Sequence, residues 1–77
     1  IYFFLNNDRK EIIIKNTNNL KIKKVEVFNI LGKKNKSWNK VETKNINSFS
    51  VNSFSNAINI VKITTEVGVV TKKILIE

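Results

Sequence analysis

The sequence predicts an all-β fold, a small sandwich or barrel, and three observations carry that expectation. Apolar residues recur with a period of two or stand in short β-branched runs, the pattern of a pleated chain with one face buried. Clusters of Asn, Asp, Thr and Gly break these runs at spacings of roughly 8–12 residues, as turns between short strands do. No stretch keeps the helical period over several turns, as an amphipathic surface helix does.

Ile1–Leu5 is an apolar run of strand length, stopped by Asn6-Asn7-Asp8, residue types whose side chains bond the backbone in turns. Glu11–Lys15 carries three successive isoleucines, better suited to a pleated surface than to a helix, and Asn16-Thr17-Asn18-Asn19 is the next turn. Ile22–Leu31 alternates, with Val25 and Val27 toward one face and Glu26, Phe28 and Ile30 toward the other. Apolar groups on both faces mark it as a central, covered strand. Gly32 ends it, supplying backbone freedom that a residue with a β-carbon lacks. Lys33–Val41 is polar, anchored by Trp38, and reads as an edge strand whose lysines discourage pairing with another chain. Ile46–Val51 alternates again, with Ile46, and Phe49 or Val51, expected inward, and Asn52–Asn56 is a polar turn around Phe54. Ile58–Thr64, if it has no bulge, sets Asn59, Val61 and Ile63 on one face. Glu66-Val67-Gly68 makes a hairpin turn and Val69–Ile76 returns antiparallel.

At 77 residues the chain forms one domain, residues 1–77. A domain of this size buries only ~60% of the surface its unfolded chain exposes. With no cysteine and no histidine, neither a disulfide nor a soft-metal site is expected, and Ile, Val, Phe, Trp38 and Tyr2 must supply the core by packing. The net charge of +8 favours acidic partners such as nucleic acid, anionic glycan or lipid headgroups. Lys, Ile and Asn share AT-rich codons, however, and a solvated lysine surface is the plainer reading. Nothing reaches the ~20 apolar residues of a membrane helix, so no membrane insertion is expected. The chain opens without methionine and is read as the end of a longer precursor.

The search for chemistry finds no catalytic set. Serines have no histidine to activate them. The carboxylates Asp8, Glu11, Glu26, Glu42, Glu66 and Glu77 are scattered, without a pair promised across a cleft. Asn6-Asn7-Asp8 offers too few oxygens for calcium, and Gly32 and Gly68 are isolated rather than part of a phosphate loop. The expectation is a protein without enzymatic activity, cofactor or metal. Lys33, Lys34, Lys36, Trp38 and Lys40 have the composition of a nucleic-acid platform. Phe3, Phe4 and Phe28 nevertheless stand in apolar runs and are expected in the core, and no RNP-like motif is present. Nucleic acid is not the expected partner.

The motifs fall in a recognisable order. Ile1-Tyr2 and Asn7-Asp8 flank the opening turn, followed by Ile12-Ile13-Ile14 and then Val25-Glu26-Val27-Phe28-Asn29-Ile30-Leu31-Gly32-Lys33. Phe54-Ser55-Asn56-Ala57-Ile58-Asn59-Ile60-Val61-Lys62-Ile63 comes next, and Gly68-Val69-Val70-Thr71-Lys72-Lys73-Ile74-Leu75-Ile76-Glu77 closes the chain. Over nearly its whole length this resembles the C-terminal sorting domain, type A, of proteins exported by the Bacteroidetes type IX (Por) secretion system. The chain departs from that family at Phe3-Phe4-Leu5, where Pro-Asn-Pro is usual, at Ala57 in place of glycine, and at Asn35 in place of an apolar residue. Asn59 takes the place of a core-facing tyrosine, so its amide needs hydrogen-bond partners.

The resemblance implies an immunoglobulin-like antiparallel β-sandwich of about seven short strands, acting as a monomer by recognition. Its implied partners are an attached N-terminal cargo domain, the outer-membrane secretion translocon and a sorting peptidase that removes the domain. It would be periplasmic in transit, then at the cell surface or outside the cell. The candidate recognition surface is the last strand, Thr71, Lys72, Lys73, Ile74, Leu75 and Ile76. Against that stands the simpler possibility that Ile74 and Ile76 are core and the lysines merely solvated. Two other functions compete: a basic β-domain binding nucleic acid or anionic glycan, and a structural accessory sandwich.

Overall fold

The computed structural model describes residues 1–54 and 57–77. Seven strands follow one another: β1 (Tyr2–Asn6), β2 (Glu11–Lys15), β3 (Ile22–Asn29), β4 (Lys34–Trp38), β5 (Ile46–Ser50), β6 (Ala57–Thr65) and β7 (Gly68–Ile76). A three-stranded sheet has the order β1-β2-β5 and a four-stranded sheet the order β4-β3-β6-β7, with every pair antiparallel. This is the strand order of an immunoglobulin-like sandwich.

Alternation builds the core. Phe3, Ile12, Ile14 and Val51 from one sheet meet Ile22, Val25, Val27, Val61, Ile63, Ile74 and Ile76 from the other, all buried. Each such side chain contributes ~1.5–3 kcal/mol relative to leaving it in water. On β6, Asn59, Val61 and Ile63 share the inner face, as expected for a strand without a bulge. On β3, Ile22 pairs with Thr65 and Lys24 with Thr64, so Lys23 is an extra residue. That bulge lets Ile22 face inward although it lies an odd number of residues from Val25. The two sheets also meet along their sides. Trp38 of β4 packs on Phe49 of β5, ring centroids 4.9 Å apart. On the opposite side Lys72 Nζ donates to the Phe3 carbonyl at 3.0 Å.

Connections are held by asparagines. Asn16 is fully buried; its amide donates to the Leu20 carbonyl at 2.8 Å and accepts from the Leu20 N–H at 3.0 Å, where the chain leaves one sheet for the other. The β3–β4 turn is a three-residue loop, Ile30-Leu31-Gly32, closed by Asn29 N–H donating to the Lys33 carbonyl. Gly32 takes φ +87° there, the left-handed position that such loops reserve for glycine. Gly68 is the first residue of β7 rather than part of the turn. It pairs with Thr65 across a two-residue loop and has φ +151°.

Three expectations change. Ile46 points outward and is 57% exposed, while Asn47, Phe49 and Val51 form the inward column of their segment. The period of two forces this once Val51 is buried, and Asn47 tolerates burial because its amide donates to the Glu42 carbonyl. Phe4 and Phe28, expected in the core, lie half-buried on outward faces, because Phe3, Val25 and Val27 hold the inward parity beside them. The polar segment Lys33–Val41 yields only β4, Lys34–Trp38, at the sheet edge. Of the turn expected at Asn52–Asn56, Ser55 and Asn56 lie outside the described residues.

Two of the positions that depart from the sorting-domain pattern meet. Asn59 is 2% exposed; its Oδ1 accepts from Asn35 Nδ2 at 3.0 Å and its Nδ2 donates to the Ala57 carbonyl at 3.1 Å. Asn35 reaches it because β4 shifts register: Val27 pairs with Lys36 and Phe28 with Lys34, leaving Asn35 in a bulge. Asn35→Ala removes the donor to a buried amide oxygen and should cost about 1–3 kcal/mol in urea unfolding. Adding Asn59→Leu should recover part of that loss, because no buried polar atom is then left without a partner.

Candidate functional site

The last strand lies at the edge of its sheet, and no described strand lies beyond it. Its side chains divide by parity. Ile74 and Ile76 face inward and are buried, whereas Thr71, Lys73 and Leu75 face outward and are exposed. Lys72 is on the inward parity but leaves the core to bridge toward β1. Among the six residues expected to form the recognition surface, then, Ile74 and Ile76 serve the core and the other four remain accessible.

The backbone of β7 has a parity of its own. The Leu75 carbonyl accepts from Asn7 Nδ2 at 3.3 Å and the Glu77 N–H donates to Asn7 Oδ1 at 3.1 Å. Both groups therefore point away from β6. Alternation of the antiparallel ladder then directs the N–H and C=O of Val69, Thr71 and Lys73 to the same side, which no described strand pairs and which Ile1–Phe3 border beside Val70–Lys72. A row of backbone donors and acceptors at a sheet edge is a template for an added strand. Asn7 occupies the far end of that row, its amide standing in for a neighbouring strand.

Beside β7 the outer face is apolar. Phe28 pairs with Ile60 and Ile58 with Leu75; Ile58 is 47% and Leu75 51% exposed. The β3–β4 turn at this end adds exposed Ile30 and Leu31. Exposed apolar residues gathered at one end of a sheet are a feature of interaction surfaces. Sequence reasoning missed it because apolar residues on both faces of β3 were read as burial on both sides. The signal available was Ile58 and Ile60 alternating with Asn59 and Val61, one apolar set too many for a single core face.

Lysines frame the patch. Lys73 pairs with Ile60, and Lys62 with Glu26 and Thr71. Glu26 is the carboxylate of this face, only 5% exposed, with Lys34 Nζ at 3.0 Å and Lys24 Nζ at 3.8 Å. The hydrogen bond from Lys34 holds its pKa below the usual carboxylate value; burial opposes this, and the charges of Lys24, Lys34 and Lys62 reinforce it. Among the described residues no three His, Cys, Asp or Glu side chains cluster.

Because the folded pKa of Glu26 lies below its unfolded value, the stabilisation is present above the ordinary carboxylate range and disappears as pH falls through the folded value. Glu26→Gln should therefore lose less stability than the parent chain between pH 6 and pH 3, read as the shift in urea midpoint. No protein-family model matches this chain, nor does any curated protein.

Proposed function

We propose that the chain is a C-terminal secretion signal domain of the type IX kind. It directs an attached cargo protein across the outer membrane by docking with the translocon and is afterwards cut away by the sorting peptidase. The observation that supports this reading is a convergence. Parts of four of the segments that carry the resemblance, at Asn7, Phe28–Lys33, Ile58–Ile60 and Leu75–Glu77, lie at the end of the four-stranded sheet where β7 terminates, whereas Ile12-Ile13-Ile14 lies in the other sheet. Asn7 holds the terminal backbone, and Phe28, Ile30, Leu31, Ile58, Ile60 and Leu75 supply apolar surface that the core does not use. The open edge of β7 adds main-chain hydrogen bonding, and Lys62 and Lys73 select an acidic partner surface. Recognition of this kind needs no catalytic group. The domain acts in the periplasm and leaves with its cargo for the cell surface or the medium.

The test is export of a reporter fused ahead of residue 1 in a bacterium with the type IX system. The fusion should reach the medium or surface. Leu75→Asp should lower export by roughly tenfold, as removal of a central apolar anchor does. Thr71→Pro removes one outward N–H while sparing the β6 ladder, and should also reduce export. Retention of the parent fusion in the periplasm contradicts the proposal.

A further inference from the structure

Three neighbouring elements at one end of the four-stranded sheet share a polarity. On the outer face Ile58 pairs with Leu75 nearest the end, Ile60 with Lys73 one row back, and Lys62 with Thr71 behind those. The β3–β4 turn repeats the order: Ile30 and Leu31 form its tip, 65% and 88% exposed, and Lys33 and Lys34 follow as the chain returns to the sheet. Among the described residues Lys33, Lys62 and Lys73 form no ion pair, whereas Lys34 is held by Glu26. Asn7 brings the β1–β2 turn to the same end, with Asp8 beside Arg9 and Lys10, and Glu77 closes the strand there. The opposite end of the sheet has an exposed tip of its own, Val67, but it stands beside Glu66 with no lysine in the loop.

Ile30 and Leu31 are outside the core and project from a turn rather than line a groove. A protein partner would have to supply a socket shaped to them, whereas a lipid layer closes around any apolar tip. The order of the residues decides further. A protein interface sets a polar rim around an apolar centre. At an anionic bilayer the apolar layer lies deepest and the phosphates lie outside it, so apolar side chains must lead and cations must follow. Leu75 leads Lys73 by two residues on one face of β7, about 7 Å, and Ile60 leads Lys62 by the same step. Leu31 leads Lys33 at the turn. The cations of all three elements therefore lie behind the apolar group, on the side away from the tip. No helix is long and apolar enough to cross a membrane, and a tip of this size needs only the interface.

We propose that the Ile30-Leu31 tip docks the domain on an anionic lipid surface, its aliphatic side chains entering the headgroup region while Lys33, Lys62 and Lys73 meet lipid phosphates. The proposal goes beyond the export reading and is tested without a translocon, so either can fail alone. The full chain should sediment with vesicles of equal parts phosphatidylglycerol and phosphatidylcholine, and more weakly with phosphatidylcholine alone. The chain has no cysteine, so Leu31→Cys and Val67→Cys each offer a single site for a polarity-sensitive dye. Emission from the dye at the Leu31 site should move to shorter wavelength on binding, and from the dye at the Val67 site it should not. Leu31→Asp should weaken binding roughly tenfold, and Leu31→Ser, which changes no charge, severalfold. Val67→Asp adds the same charge at the other end and should leave binding within about twofold. Far-UV circular dichroism checks each fold, and the dye readout keeps the test decisive if Leu31→Asp unfolds. Absence of binding to the mixed vesicles overturns the proposal and leaves the tip to a protein partner. So does equal weakening by Leu31→Asp and Val67→Asp, or binding with the tip dye still in water, because either means diffuse charge attraction.

Discussion

Val25, Val27, Val61 and Ile63 meet at the middle of the four-stranded sheet with no exposed surface, and the remaining structure depends on the strand parity that keeps them there. Without disulfide or metal, a chain of this size has little stability to spare. A slip of one residue in β3 or β6 would turn the apolar column outward and bring Glu26 and Lys62 into the core. The bulge at Lys23 and the hydrogen-bonded amides of Asn16 and Asn59 are local adjustments that keep this parity while the chain crosses between sheets. They replace apolar packing where the backbone geometry forbids it.

The same parity decides which side chains stay exposed. If Val61 and Ile63 must point inward, Ile58 and Ile60 must point outward, and Ile74 and Ile76 in the core commit Leu75 and Lys73 to solvent. An exposed apolar group beside an open strand edge is normally a liability that a protein covers or blunts. Here Asn7 blunts one end of the edge and lysines border the rest. The arrangement leaves an apolar surface beside the edge uncovered while its lysines discourage pairing between copies of the chain.

Much of this was legible in the sequence. Strand number, the central position of β3, the edge position of β4 and the shared face of Asn59, Val61 and Ile63 all follow from alternation and turn chemistry. What alternation cannot give is which of two apolar faces is buried when both are apolar, and Phe4 and Phe28 differ from expectation for that reason, whereas Ile46 is opposite in parity to Phe49 and Val51 and cannot share their face. The meeting of Asn35 with Asn59 was hidden as well, because a one-residue bulge creates it. The need for partners at Asn59 was nonetheless visible, since an amide on an inward column must be hydrogen-bonded. The role of Asn7 was not visible at all, because its contact with the last strand joins opposite ends of the sequence.

Amide hydrogen exchange, measured residue by residue in solution, reads whether β7 presents an unpaired backbone edge. Exchange should alternate along the strand: slow at Val70, Lys72 and Ile74, whose N–H groups face β6, and fast at Thr71 and Lys73, whose N–H groups point away from it. Equal protection of Thr71 and Lys73 with their neighbours would contradict it, because the edge would then already be covered.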